Sequence, residues 1–252
     1  MTSVLRTFLV LLATLGLPHP IANTERASHA PQSHLILWAW EMPERLDFID
    51  PRQIAVAYLD QTIYVGESVR TRPRVQPMQV SPGTEVVAVV RIEMAAAAET
   101  SPAAAAEIVA ALRRSARRPG VAAVQVDFDA VKSQQRFYSQ ILKQTRKEMP
   151  PGMPLSVTAL ASWCAYDRWL VGLPIDEAVP MLFRMGKEQN LFRPERGGPL
   201  VREPLCSGSL GLSVDEPWPR ELAGKRLYVF NSRPWTKQSV ARVVEEVEQS
   251  KK

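Results

Sequence analysis

A chain of 252 residues, 46% hydrophobic and 23% charged, is long enough to bury one sizeable core and has the composition of a globular protein rather than a disordered one. Its formal charge of +5 is modest at this size. The basic cluster Arg113-Arg114 and Arg117-Arg118 lies on an Ala-rich helical stretch without interleaved aromatics, so it reads as a solvated helix face, and no nucleic-acid partner is expected.

In chain order, the first segment reads as an export signal. Arg6 supplies a positive start, Phe8 to Leu17 is an apolar run, and Pro18 ends it. The run is too short for a comfortable membrane span, and no later stretch is apolar enough for one. The expected organisation is a signal and polar leader over residues 1–30 and one exported domain over 31–252, periplasmic or extracellular. Cleavage after Ala22 or after Ala30 fits equally. The two cysteines, Cys164 and Cys206, would be allowed to pair in an oxidising compartment, and the sequence leaves open whether they meet.

Eight short β-type runs follow: His34 to Glu41, Gln53 to Asp60, Val86 to Glu93, Val121 to Asp129, Pro154 to Trp163, Ala178 to Met185, Ser209 to Val214 and Lys225 to Asn231. Helices are clearest at Ser101 to Arg118, where Ser101-Pro102 offers an N-cap and a first-turn proline, at Ser133 to Glu148, and at Lys237 to Gln249. One or two helical turns are expected at Pro43 to Ile49 and at Tyr166 to Val171. Thr62 to Val65 reads as a small extra β segment, Arg70 to Val80 as a proline-broken loop, and Lys187 to Leu205 as a long polar connection. Strand and helix in series imply parallel pairing. Eight such units with a closing helix predict an α/β fold, a compact single-domain (βα)8 TIM-type barrel. No glycine-rich dinucleotide or phosphate fingerprint follows any strand, which argues against an open doubly wound sheet.

Alternation along the fourth run places Ala123, Gln125, Asp127 and Asp129 on one side and Val124, Val126 and Phe128 on the other. Outer faces of barrel strands pack under helices, so the polar row should face the lumen, with Asp129 at the C-terminal mouth and Asp127 a layer below. Two carboxyls this close repel, and one is then expected to hold a proton near neutral pH. Arg91 and Glu93 share a face of the third run, Ser156, Thr158 and Ser162 of the fifth, Arg184 ends the sixth, and Asn231 and Arg233 follow the eighth. Glu41, Asp60, Asp215 and Glu216 end their own runs, so up to six strand ends would bring an acid to one mouth. Trp38, Trp40, Trp163, Tyr166, Trp218 and Trp235 sit at or beyond strand ends, where an indole face beside carboxylates suits a sugar ring.

All three histidines, His19, His29 and His34, precede or open the first strand. A His-based nucleophile triad or a His-ligated zinc or iron site is therefore not expected at the mouth, and no cofactor is expected; an all-oxygen Ca²⁺ or Mg²⁺ site around Asp127 and Asp129 stays open.

The stretches Trp40-Glu41, Arg72-Pro73-Arg74, Gln125-Val126-Asp127-Phe128-Asp129-Ala130, Leu160-Ala161-Ser162-Trp163-Cys164, Asp176-Glu177-Ala178-Val179-Pro180-Met181, Phe183-Arg184-Met185-Gly186 and Asp215-Glu216-Pro217 resemble a bacterial family known only as domain of unknown function 3142. The resemblance implies a glycoside-hydrolase-like barrel and brings no established activity. More distantly, the fourth run is similar to that of family-eighteen chitinases, with Asp127 and Asp129 matching two aspartates. Val131 stands at the position of the catalytic glutamate, so the resemblance does not carry the chitinase mechanism, and another strand would have to supply the proton donor.

The expected function is thus carbohydrate-active chemistry by a two-carboxylate mechanism, with Asp129, and Asp127 beneath it, working with Glu93, Glu41 or Glu216. Arg184, Asn231 and Asp215 are expected to bind an oligosaccharide or envelope glycan, and Trp40, Trp163 and Trp235 to stack on it. A non-catalytic barrel that binds glycan or protein through the same mouth is the second expectation, and an inert ion network the third.

Overall fold

The computed structural model describes residues 33–250 apart from 97, 99, 187–200, 220 and 221. The expected signal and leader, and most of the polar connection after the sixth run, lie outside the described residues. In chain order the strands are β1 (Leu35–Ala39), β2 (Glu44–Leu46), β3 (Ile54–Val65), β4 (Val69–Pro73), β5 (Met78–Val80), β6 (Val86–Met94), β7 (Val121–Asp127), β8 (Leu155–Leu160), β9 (Glu177–Met181), β10 (Ser209–Ser213) and β11 (Arg226–Phe230). Eight of them pair in parallel in the order β1, β3, β6, β7, β8, β9, β10, β11. The sheet then closes on itself, because Leu35 of β1 pairs with both Ile54 of β3 and Leu227 of β11. This is the TIM-type barrel that eight runs and a closing helix predict.

The three long helices stand where the sequence places them. Among the described residues, long helices follow three strands: α1 (Pro102–Ala116) after β6, α2 (Gln135–Glu148) after β7, and α4 (Lys237–Gln249) after β11; α3 (Ala161–Ala165) has five residues. The α1 start is as predicted, with the Ser101 hydroxyl accepting from the Ala104 N–H and Pro102 in the first turn. Its buried Ala105, Ile108, Val109 and Leu112 recur at helical spacing and pack with the buried Phe137, Tyr138, Ile141 and Leu142 of α2 over the outside of the sheet.

Two expected helical turns are corrected. Residues 43–49 carry β2 instead, whose buried, exposed, buried alternation at Glu44, Arg45 and Leu46 has the strand period; it pairs with β5 in what reads from sequence as a proline-broken loop. The turn expected at Tyr166 to Val171 lies upstream, as α3. Ser156, Thr158 and Ser162 keep the strand period of two, but β8 stops at Leu160, and Ser162 and Trp163 stand on a helix rather than a strand.

The second strand runs past its expected end to Val65 and pairs with β4 as an antiparallel hairpin. Its register against β6 shifts between Leu59 and Gln61, so Asp60 is the extra residue of a bulge. Alternation puts Asp60 on the outer side of β3 with Val56 and Tyr58, and there its carboxylate takes hydrogen bonds from Ser115 (2.6 Å) and Arg118 (3.0 Å) at the end of α1. Asp60 is therefore not one of the acids at the mouth, and Arg118 of the basic cluster is a structural partner.

Cys164 of α3 and Cys206 form a disulfide, with Cα atoms 5.8 Å apart. The backbone N–H groups of Arg202 and Glu203 also donate to the Cys164 carbonyl, at 2.9 and 3.2 Å. The chain is thus returned to the barrel just before β10.

Inside the barrel, Ile36, Trp38, Ala55, Ala57, Val87, Val89, Ala123, Val179 and Tyr228 form the apolar filling. At the N-terminal end, Glu177 is paired with Arg226 and accepts from the Tyr228 hydroxyl at 2.8 Å. Small residues on β3, β7 and β10 make room for the two large rings. A Cβ on Gly211 would lie 3.0 Å from the Trp38 ring and 3.2 Å from the Pro180 carbonyl oxygen. Gly211→Ala is accordingly expected to cost about 1–2 kcal/mol through overpacking, read as a lower midpoint in urea unfolding; an unchanged midpoint would show that the Trp38 ring is not tightly held.

Candidate functional site

At the C-terminal ends of the barrel strands a cleft of about 450 Å³ opens between Trp38, Trp40, Arg91, Asp127, Asp129, Thr158 and the rings of Phe183 and Phe230. In barrels of this kind the C-terminal face is where function is placed. Its floor is a polar relay across three strands. The Trp38 indole N–H donates to Gln125 Oε1 (2.9 Å), and Gln125 Nε2 donates to Ser156 Oγ (3.3 Å). One layer higher, Asp127 Oδ1 accepts from the Thr158 hydroxyl at 2.7 Å, and Oδ2 faces Arg91 Nη1 at 3.4 Å. Arg91 Nε is given to Glu93 Oε1 at 2.8 Å.

Alternation on β7 sets this depth: Ala123, Gln125 and Asp127 turn inward, Asp127 is buried, and Asp129 lies beyond the strand and is exposed. Burial, and then the charge of Asp129, push the Asp127 carboxyl up to about 6; Thr158 and Arg91 offset only part of this. Arg91 loses by burial but is held above its ordinary value by Asp127 and Glu93. The result is a carboxyl that exchanges a proton near neutrality, beside an exposed carboxylate.

The walls are aromatic. Phe183 and Phe230 stack in parallel with centroids 5.5 Å apart, Trp38 lies 6.2 Å from Phe183, and Trp40 meets Phe230 edge-on at 6.3 Å. The Arg91 guanidinium sits 5.7 Å from the Trp40 ring centroid. Trp40 is held from behind, because Arg74 donates to the carbonyls of Ala39, Trp40 and Met42 at the end of β1 and to that of Gln76. Arg184 follows β9 with a positive φ of 54°, and its guanidinium lies 5.1 Å over the Phe230 ring.

Residues 82–180 match the family model described as Domain of unknown function (DUF3142). The DUF3142 stretch holds the acidic half of the cleft, Arg91, Glu93, Asp127, Asp129 and Thr158, while Trp40, Phe183, Arg184 and Phe230 lie outside it. Among solved structures, the chitinase domain of the spore coat protein CotE from Clostridium difficile is similar, with 11% identity and a TM-score of 0.41 over 62% of this chain. The aligned part spans about half, 52%, of that chain. No curated protein matches the sequence.

Of the predicted site residues, Asp127, Asp129, Trp40 and Arg184 meet in the cleft. Glu93 is paired with Arg91 of the cleft but lines a separate pocket with Tyr64, Val65 and Arg70. Glu41 is paired with Arg72 in a smaller neighbouring pocket, and Asp215, Glu216 and Asn231 line a separate groove toward α4. There Glu216 Oε1 accepts the Arg184 backbone N–H (2.9 Å), Asp215 accepts from Ser232 (2.7 Å) and Asn231 from the Arg233 N–H (3.1 Å).

Two expectations are corrected. Trp163 is 3% exposed on the outside of the sheet, stacked on Trp169 at 4.5 Å, and Trp235 is 4% exposed with its indole N–H on the Trp38 carbonyl. Neither ring lines the cleft, because each finds an apolar layer beneath a helix or loop to bury in.

The sequence alone did not single out Phe183 and Phe230 as cleft walls. Phe230 was within reach, since Arg226, Tyr228 and Phe230 alternate toward the lumen. Among the described residues, no group of three or more His, Cys, Asp or Glu is placed to hold a metal ion.

Proposed function

We propose that the cleft receives a glycan and acts on it as a glycoside-hydrolase-like barrel, with Asp127 and Asp129 as its acid pair. The observation that carries this reading is a buried carboxyl with a raised pKa beside an exposed carboxyl at the floor of an aromatic cleft. Sugar hydrolysis needs one carboxyl to protonate the leaving oxygen and one carboxylate to activate water or attack. Asp129, the exposed member, reaches the glycosidic oxygen, and Asp127 beneath it stores the proton that the pair shares. Glu93 on the adjacent strand, which shares Arg91 with Asp127, is the partner carboxylate; Glu41 and Glu216 are engaged elsewhere. Trp40, Phe183 and Phe230 offer faces to the apolar sides of sugar rings. The Cys164–Cys206 bridge and the apolar N-terminal run support action outside the cytoplasm.

A second reading, glycan binding without turnover, is favoured by one feature. Val131, 57% exposed, occupies the position where a chitinase-like acid would stand, and Glu93, Glu41 and Glu216 are each already bonded. The test compares wild type with Asp129→Asn for release of reducing ends and for retention on glycan. Catalysis predicts release that falls at least ~100-fold in the variant while retention persists. Retention by both without release assigns the cleft to binding, and neither retention nor release on any glycan defeats both readings.

A further inference from the structure

Within the cleft, the two arginines are used differently. Arg91 spends its donors on Glu93 and Asp127. The Arg184 guanidinium meets no carboxylate among the described residues; its contact is the flat face of Phe230, at 5.1 Å. A guanidinium lying over a ring leaves its edge N–H groups unspent, and that edge is the fork that matches a carboxylate in two parallel hydrogen bonds.

The placement of Arg184 is enforced. Among the described residues it is the one non-glycine with positive φ, 54°, a conformation that L-residues rarely adopt. Glu216 holds that backbone by accepting its N–H at 2.9 Å, from the loop after β10. Phe230 is itself fixed by stacking on Phe183. Two neighbouring strands thus stabilise one strained residue, with the consequence that a cationic fork stands across the cleft from the acidic end of β7.

We infer that the cleft selects glycans bearing a carboxylate group, with Arg184 reading that group and Glu216 acting as the positioning residue for Arg184. This rests on the glycan-binding reading above and goes beyond it by naming the substrate class. It also gives the bound glycan a direction. A carboxylated ring is drawn to Arg184 and repelled by Asp129, so the uncharged side of the linkage faces the acid pair.

The experiment titrates the full-length protein with galacturonate, glucuronate-containing and muramic acid-containing oligosaccharides, each beside its carboxyl methyl ester, by calorimetry at low salt. At least one acid is expected to bind about tenfold more tightly than its ester. Arg184→Gly, which suits the positive φ and removes only the side chain, is expected to bring the affinity for the acid down to that for the ester. Arg184→Lys, which keeps the charge but not the fork, is expected to fall between. Glu216→Ala should shrink the acid-to-ester ratio and Glu216→Gln, which keeps an acceptor, should restore it; a merely structural Glu216 would leave the ratio unmoved. Equal binding of acids and esters by wild type, or a preference that survives Arg184→Gly, overturns the inference while the bound esters leave the glycan reading standing. If no acid, ester or neutral glycan binds, both fall.

Discussion

Removing the Cys164–Cys206 bridge, as the Cys164→Ala/Cys206→Ala double variant, is expected to lower the unfolding free energy by about 4 kcal/mol. The two cysteines are 42 residues apart, and cross-linking a loop of that length removes a large share of the unfolded chain's freedom. The five-residue α3 has no side-chain cap at its N-terminus, and the segment before β10 is tied to it by hydrogen bonds to the Cys164 carbonyl. Both sulfurs are buried, at 1% exposure each, in the same apolar layer as Trp163 and Leu170, so the variant adds a packing loss to the entropic one. Urea unfolding of the oxidised protein, the dithiothreitol-reduced protein and the variant checks this. Coincident midpoints for all three would mean that the bridge constrains nothing the fold does not already constrain.

Asp127→Asn is expected to make the protein more stable at pH 7.5, by about 2 kcal/mol, and to flatten its stability below neutrality. The folded carboxyl titrates near 6, against an ordinary value of 3.8, because burial and Asp129 disfavour its charge more than Thr158 and Arg91 favour it. A group whose folded pKa is raised stabilises the native state when protonated. That contribution is complete below about pH 4, fades as the pH rises toward 6, and is absent above. The whole span is worth about 3 kcal/mol, from two pKa units at 1.36 kcal/mol each. Asparagine keeps an acceptor for the Thr158 hydroxyl but turns an amide toward Arg91, which returns part of the gain. Thermal unfolding of both proteins from pH 4 to 8 provides the measurement. If wild type shows no extra loss of stability between pH 4 and 6 relative to the variant, Asp127 is not the proton-holding group and the acid pair is no site of proton transfer.

Why the acidic pair was legible and most of its surroundings were not follows from particular residues. Gln125, Asp127 and Asp129 lie on one short strand, where a period of two decides which side each faces, and the apolar Val124, Val126 and Phe128 leave no second choice. Asp60 ends a strand but obeys the same rule: Ala55 and Ala57 face the lumen, so Asp60 falls on the outer side with Val56 and Tyr58. Trp163 and Trp235 were misread because a tryptophan at a strand end is equally at home over a sugar or under a helix. Only the presence of Trp169 and the apolar layer around α4 decides between them. Arg184 could be nominated by its charge and position, but its positive φ and its seat on Phe230 arise from contacts with β10 and β11, distant in sequence.

The sequence by itself determined the eight strands, their parallel order, the three long helices and the depth of Asp127 below Asp129, all properties set by local periodicity and by the twist that closes such units into a barrel. The tertiary structure alone decided which acids share a cleft, that Cys164 meets Cys206, that α3 replaces a helix at Tyr166, and that the aromatic walls are Trp40, Phe183 and Phe230. These depend on where separate strand ends and loops come to rest around one axis, and no local pattern carries that information.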